Sequence, residues 1–353
     1  MNKKVGIILV NYKDYARKYL DACRDSLYKQ SYNNFQVYIV DNDSSEESVS
    51  YLKKSYPEAI VLEREDGNYS AANNLGFRKA IEDGCDYLVT ANMDTEMDED
   101  WLKELVVALD NNEYVGIAQS KVLLHPRNQE EKVNPKINSL GNKIHFLGFG
   151  FTSSYNDEDV KIKGYPKIKG YASGCSFIIK KEVFEKTGGY NETYYMYHDD
   201  MEISLKVKLI GYDIILVPKS VIYHKYEFKR SVKMIYYMER NRYLTAFTFY
   251  PFHILLLLAI PAILMSIGML FFSIINGWSK SYLNVLAYFL NPLNWYRIVL
   301  ERRRLREKSN ILFFRIAKDF VGKIEFQEIA NPILKYVVNP LLSVYWLVIK
   351  KII

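Results

Sequence analysis

The sequence predicts an α/β fold: a Rossmann-like, mostly parallel sheet with helices on both faces, followed by helices of a different character. Three observations carry this reading. Short β-branched runs alternate with helical stretches through residues 1–218, each apolar run ends in a polar cluster, and a long uncharged stretch then leads into a basic tail. Strand–helix alternation at this spacing is the pattern of a parallel sheet covered on both faces. With 353 residues there is room for one large domain or two ordinary ones.

In chain order, strands are expected at Val5–Val10, Gln36–Val40, Ala59–Leu62 and Tyr87–Ala91, with helices at 14–30, 46–56, 70–83 and 99–110 between and after them. A further helix is expected from Asp199 to Leu209. Ligands of such sheets bind beyond the carboxyl ends of the strands, so the residues after each apolar run matter most. They are Asn11-Tyr12, then Asp41-Asn42-Asp43-Ser44-Ser45, then Glu63 to Asn68, then Asn92-Met93-Asp94-Thr95-Glu96. Any one of these is ordinary turn or N-cap chemistry, and Ser44 or Asp98 fits that description. Four on one predicted edge point to a ligand cleft.

The charge is unevenly spread. Residues 1–218 carry 27 Lys+Arg against 34 Asp+Glu, whereas residues 219–353 carry 20 against 7. A basic half often meets nucleic acid or an anionic membrane. Here the basic residues flank apolar runs, so a membrane is expected and nucleic acid is not. Phe252 to Ile275 is 24 residues without an Asp, Glu, Lys or Arg. As one helix it would reach roughly 36 Å, enough to cross a hydrocarbon core of about 30 Å. The weaker stretch Tyr282–Leu300 either returns across the bilayer or lies re-entrant, so residues 251–300 read as an apolar hairpin. Glu301 to Lys308, with five basic residues, should stay cytoplasmic, as should Lys229, Arg230, Lys233, Arg240 and Arg242 on the other flank.

The expected organisation is therefore an α/β domain over 1–225, a juxtamembrane connector over 226–250, the hairpin, and basic amphipathic helices over 301–353 on an anionic leaflet. Cys23, Cys85 and Cys175 are odd in number and match no zinc spacing. With no signal peptide in view, they read as reduced thiols, and the α/β domain is expected to face the cytoplasm from the cell membrane.

An ordered set of segments now carries a resemblance: Ile8-Leu9-Val10-Asn11-Tyr12, Val40-Asp41-Asn42-Asp43-Ser44-Ser45, Gly67 to Gly76, Asn92-Met93-Asp94, Ser173-Gly174-Cys175, Gly188-Gly189-Tyr190-Asn191-Glu192, Tyr197 to Ser204, His224, and Glu239-Arg240-Asn241-Arg242. Over about residues 3–250 the chain resembles the inverting, nucleotide-sugar-dependent glycosyltransferases of family 2, with the GT-A fold. Its likeness is greatest to their rhamnosyltransferase-like, O-antigen and polysaccharide branch.

The resemblance implies a division of labour. An inverting transferase takes a proton from an acceptor hydroxyl and stabilises a diphosphate leaving group. Asp200 aligns with the family's base, with Asp199 as its neighbour where the family usually has Glu. Asn92-Met93-Asp94 stands where the family has Asp-X-Asp, so Asp94 is the expected ligand of Mg2+ or Mn2+ and His224 the second. Glu96 is a possible substitute for the missing acid. Asp41 is expected to accept from the base ring of UDP or dTDP, Asn11 and Tyr12 to lie beside base and ribose, and Asn73 to reach the ribose or phosphates. Asp43, Asn68, Asn92 and Met93 complete the nucleotide-sugar set, and Gly174, Tyr197, Arg240 and Arg242 the acceptor pocket. The implied partners are a nucleotide-sugar donor, a lipid-linked saccharide acceptor and the membrane, while oligomeric state is left open. Two alternatives stand beside this reading: a polyprenyl-phosphate sugar synthase, and a catalytically silent membrane scaffold for glycan assembly.

Overall fold

The computed structural model describes residues 3–226, 232–325 and 332–353. Lys229 and Arg230, and the side chain of Lys233, lie outside the described residues. The chain divides into two compact units. The first comprises Met1–Asn142, Thr152–Tyr195 and Asp199–Glu227. Its elements are β1 (Val5–Asn11), α1 (Tyr15–Tyr28), β2 (Phe35–Asp41), α2 (Glu46–Ser55), β3 (Ile60–Glu63), α3 (Tyr69–Glu82), β4 (Tyr87–Ala91), β5 (Thr95–Met97), α4 (Trp101–Asp110), β6 (Val115–Leu124), α5 (Gln129–Val133), β7 (Ile137–Ser139), β8 (Ser176–Lys180), α6 (Lys181–Thr187), α7 (Asp199–Leu209) and β9 (Asp213–His224).

Among the described residues these strands form one nine-stranded sheet in the order β3-β2-β1-β4-β8-β6-β9-β5, with β7 beside β6. The sheet is mixed, where the sequence predicts a mostly parallel one. The pairs β1–β2, β1–β4, β2–β3 and β6–β9 are parallel, but β4–β8, β8–β6, β9–β5 and β6–β7 are antiparallel. Parallel pairing needs a crossover connection. The alternating residues 5–91 supply one each time, whereas β8 enters after a loop and β5 follows β4 at once.

Alternate residues of β1 feed opposite faces: Val5, Ile7 and Leu9 join one core, and Ile8 joins the other. Both faces are thus covered by helices, as expected. Gly76 permits the close packing of α3 on this strand, because a Cβ there would meet Ile8 at 2.8 Å. Strand order runs outward from β1 to β3 and then returns to β4 on the other side of β1. That reversal opens a crevice beyond the carboxyl ends of β1 and β4.

The second unit comprises Lys143–Phe151, Met196–His198 and Phe228–Ile353. Its helices are α8 (Val232–Phe249), α9 (Phe252–Leu257), α10 (Ala259–Ile275), α11 (Ser279–Tyr288), α12 (Pro292–Lys308), α13 (Phe313–Ala317) and α14 (Asn339–Ile352). Helices α11 and α12 pack on α8. The Arg302 guanidinium donates to the carbonyls of Phe247 (2.5 Å) and Tyr250 (2.9 Å), closing the carboxyl end of α8.

The expected membrane span is corrected here. Among the described residues no helix is long and apolar enough to cross a membrane. The uncharged run breaks at Leu258, between α9 and α10. Pro261 explains the break: it has no N–H for the Leu257 carbonyl four residues back, and its ring clashes with that carbonyl. The Tyr345 hydroxyl takes the Leu257 carbonyl instead. What remains, α10, has 17 residues and reaches only about 25 Å.

Candidate active site

The crevice edge is built by strand ends. Asn11 closes β1 and Asp41 closes β2, and parallel pairing sets them side by side. The Asn11 amide donates to Asp41 Oδ1 at 2.7 Å, while its own Oδ1 accepts the Ala16 N–H at the start of α1. Ser48 donates to Asp41 Oδ2 at 2.5 Å and also closes the capping box of α2 with Ser45. Asp41 is fully buried between these two donors. It keeps one lone-pair direction on each oxygen, and a base N–H would have to use one of those. Beside it the buried Asn42 Oδ1 has no hydrogen-bond partner. Tyr12 is exposed, Asp43 is half-buried, and Gly67 (φ +67°) lies against the Tyr12 and Tyr195 rings.

Several expected binding residues also brace the fold. Asn68 is the N-cap of α3: its Oδ1 accepts from the Ala71 N–H and its Nδ2 donates to the Glu192 carbonyl. Asn73 is fully buried, its amide held by the Tyr69 carbonyl and the Thr90 hydroxyl. It braces α3 against β4 instead of reaching outward. Met93 is 1% exposed and belongs to the apolar core, so only its backbone faces the edge.

Asp94 follows β4 and precedes β5. Because β5 pairs antiparallel with the end of β9, His224 lies opposite Thr95, and its Nε2 sits 3.2 Å from Asp94 Oδ2. Nδ1 of His224 faces Asn138 Oδ1 at 3.0 Å. An amide oxygen only accepts, so Nδ1 carries a proton and Nε2 points at Asp94. Burial alone would lower the imidazole, but the Cys175 thiol and Asp94 outweigh it and hold His224 well above its usual range. Burial also keeps that thiol neutral, so the charge that matters is Asp94's. Burial pushes Asp94 up in turn, and the bond and charge of His224, with the Tyr15 hydroxyl and a backbone N–H, together reverse this, leaving its carboxyl below the ordinary range.

Among the described residues no cluster of three or more His, Cys, Asp or Glu is set to hold a metal ion. Glu96 is held by Lys225 (2.6 Å) and His125 (3.1 Å), both on its Oε1. Asp94 Oδ1, however, is buried with no partner in hydrogen-bond geometry, although the Tyr15 hydroxyl lies close enough to help hold the carboxyl down. A carboxylate oxygen so placed, beside an imidazole whose Nε2 proton a metal would displace, fits a divalent cation that draws its other ligands from a diphosphate and water.

Asp200 opens α7. Its Oδ2 accepts the Gly174 N–H at 3.1 Å and its Oδ1 the Met201 N–H at 2.8 Å. Asp200 is half-buried, and burial pushes its carboxyl up to about 6. One residue on from Gly174, the Cys175 carbonyl accepts the Asn92 N–H at 3.0 Å. Residues 174–175 therefore join the carboxylate of Asp200 to the Asn92–Asp94 turn. Asn92 Oδ1 in turn accepts from Tyr69 at 3.2 Å. Just before α7, Tyr195 holds φ +66° and ψ −61°, a strained γ-turn geometry of the kind that collects at functional sites.

The other three candidates belong to the second unit. Asn241 donates to the carbonyls of Met196 (2.8 Å) and Tyr197 (2.7 Å), fixing a turn in which Tyr197 and His198 both have positive φ. Arg242 is 2% exposed. It pairs with Glu239 at 2.8 Å, donates to the Leu147 carbonyl, and lies over the Phe149 and Tyr243 rings. So enclosed, it is neither the acceptor contact nor the membrane anchor expected of it. Arg240, also buried, bonds Asn241 Oδ1 and faces the Tyr237 and Tyr288 rings. Ser48, Asn138 and Tyr69 act on this edge and were not foreseen. Only Ser48 had a signal, the Ser45-to-Ser48 spacing of a capping box.

Comparison with known proteins bears on the family and the fold. The family model "Glycosyl transferase family 2" matches residues 6–188, just over half of the chain. A low-salt glycan biosynthesis hexosyltransferase of Haloferax volcanii is 24% identical over 58% of this chain and 61% of its own. A dTDP-rhamnosyl transferase of Shigella flexneri is 25% identical over 64% of this chain and 70% of its own. The chain spans less than two thirds of the curated relatives matched first, 24% and 61% of the first two. A mannosyltransferase from Pyrobaculum calidifontis, solved with GDP-Man and Mn2+, superposes with a TM-score of 0.50 at 16% identity, covering 87% of this chain and 86% of its own. That likeness shows the shared α/β fold. By the matched model and the fold together, the chain belongs to glycosyl transferase family 2.

Proposed function

We propose that the protein is an inverting glycosyltransferase. It moves a sugar from a UDP- or dTDP-sugar to a hydroxyl of a lipid-linked saccharide in cell-surface polysaccharide assembly, at the cytoplasmic face of the membrane. The observation that carries this reading is the link through residues 174–175, which puts a carboxyl raised to about 6 beside the Asn92–Asp94 turn at the crevice. The names of the Haloferax and Shigella relatives support hexosyl or deoxyhexosyl transfer.

The acceptor oxygen attacks the anomeric carbon from the face opposite the diphosphate. Asp200 takes the hydroxyl proton as that bond forms, and a base with a value of about 6 is ionised yet still basic near neutrality. The anomeric carbon–oxygen bond breaks with its electron pair going to the diphosphate. Asp94 and His224 would hold a divalent cation, which supplies charge stabilisation to that leaving group. The backbone N–H groups of Gly174 and Met201 keep the carboxylate aimed, and Tyr69 holds Asn92 through its side-chain oxygen.

The test is turnover with UDP-, dTDP- and GDP-sugars, Mn2+ and a polyprenyl-diphosphate saccharide, with the product's anomeric configuration read by NMR. Transfer with inversion from a UDP- or dTDP-sugar is expected. A retained configuration, or transfer to bare polyprenyl phosphate in place of the saccharide, overturns the assignment.

A further inference from the structure

We propose that the apolar helices of the second unit dock on one leaflet of an anionic phospholipid bilayer and dip into it without crossing. This deepens the membrane part of the proposed function and is independent of the transfer chemistry.

The argument starts from α10. Ile260, Ile263, Leu264, Ile267, Phe271 and Ile274 are all 47% or more exposed, and the helix contains no charged residue. Single exposed apolar residues are ordinary, but a continuous set marks a surface that something covers. At about 25 Å α10 is too short to cross a bilayer as one helix, yet suited to lying in its interface.

Helix α14 repeats the pattern with both sides apolar. Leu342, Trp346 and Ile349 are buried inward, while Leu341, Val344, Val348 and Ile352 are exposed at the i, i+3, i+4 spacing of one face. A helix on a water-facing surface would carry its polar residues there. The only charges on α14 are Lys350 and Lys351, in its last turn. The two helices are joined: the Tyr345 hydroxyl bonds the Leu257 carbonyl at the α9–α10 break.

Charge decides between possible occupants. Residues 219–353 carry 20 Lys+Arg against 7 Asp+Glu, and the side chains of Arg303 and Arg304 on α12 are 79% and 73% exposed. A second copy docked through these helices would bring together two regions that each carry this excess of positive charge. An anionic leaflet satisfies the apolar faces and the positive charge at once. Trp295 and Tyr296, both exposed near the start of α12, are the residue types that settle at headgroup depth.

The test uses the full chain, with flotation on phosphatidylcholine vesicles with and without phosphatidylglycerol. Binding is expected on the anionic vesicles and weakens with salt. Leu264→Glu on α10 and Val344→Glu on α14 should each lower partition about tenfold, with nucleotide-dependent thermal stabilisation unchanged as the sign of an intact fold. Depth is read from Asn276→Cys, at the exposed residue that follows α10. Labelling by an impermeant maleimide from the outside of protein-bearing vesicles supports docking on one leaflet, and labelling from the inside alone overturns it. Two other outcomes also overturn the proposal: no flotation of a wild-type protein that still responds to nucleotide, and a stable dimer by light scattering that Leu264→Glu disperses.

Discussion

Replacing Asp200 with Asn separates the chemistry of this carboxylate from its structural cost. The side chain accepts two backbone N–H bonds, and despite both, burial raises it from 3.8 to about 6. That gap corresponds to about 3 kcal/mol of folding free energy forgone when the group ionises in the native state. The sign follows from linkage. A carboxyl raised on folding contributes stability that is present below about 3.8 and lost as pH rises through about 6. An Asn pays no ionisation cost, so at pH 8 Asp200→Asn should be as stable as the wild type or more so, by up to about 3 kcal/mol. Its amide must turn an N–H toward one of the two backbone donors, which takes back about 1–3 kcal/mol.

Turnover should fall about a hundredfold to ten-thousandfold, the usual contribution of a general base. Wild-type activity should drop below about pH 6, where Asp200 protonates, and the variant's residual rate should lose that inflection. The assays are release of nucleoside diphosphate from the donor sugar as a function of pH, and urea denaturation at pH 5 and pH 8. A variant that keeps a tenth of wild-type turnover, or that is destabilised at pH 8 and not at pH 5, would refute the base assignment.

Three further expectations follow from single contacts. Asn138→Leu removes the acceptor that fixes the His224 tautomer and should weaken Mn2+ affinity about 10- to 100-fold, read as the Mn2+ concentration needed for nucleotide-dependent stabilisation. Ser48→Ala strips one of the two donors from buried Asp41 and should lower stability by about 1–3 kcal/mol in chemical denaturation, with Ser48→Thr restoring most of it. Asn241→Leu frees two backbone carbonyls beside positive-φ Tyr197 and His198; it should cost about 2–4 kcal/mol and raise hydrogen exchange at 196–198 before the sheet responds.

The first half of the sheet was legible because each strand there is a short apolar run closed by a helix. Val5–Asn11, Tyr87–Ala91 and Asp199–Leu209 lie within a residue of where the sequence places them. The antiparallel insertion of Ser176–Lys180 was not legible, since nothing in a strand's own residues states which neighbour it will meet. The site divides the same way. Asp94 and His224 were expected together, and the pairing of Thr95–Met97 with the end of β9 brings them to 3.2 Å. Met93 and Asn73 stand in the same motif segments but point inward, because alternation and helix packing, not motif membership, set side-chain direction. A single span over Phe252–Ile275 is not supported because composition alone measured the run as one helix, when Pro261 divides it.

The central claim is that a nucleoside diphosphate binds beyond the ends of β1, β2 and β4 with its cation on Asp94. The most direct measurement is thermal stabilisation of the full chain by UDP, dTDP, GDP and CDP, each with and without Mn2+, in wild type, Asp94→Ala and Asp200→Ala. The account predicts a Mn2+-dependent rise with UDP or dTDP that Asp94→Ala abolishes and Asp200→Ala keeps. A folded wild-type protein that responds to no nucleotide, or whose response survives the loss of Asp94 unchanged, would contradict it.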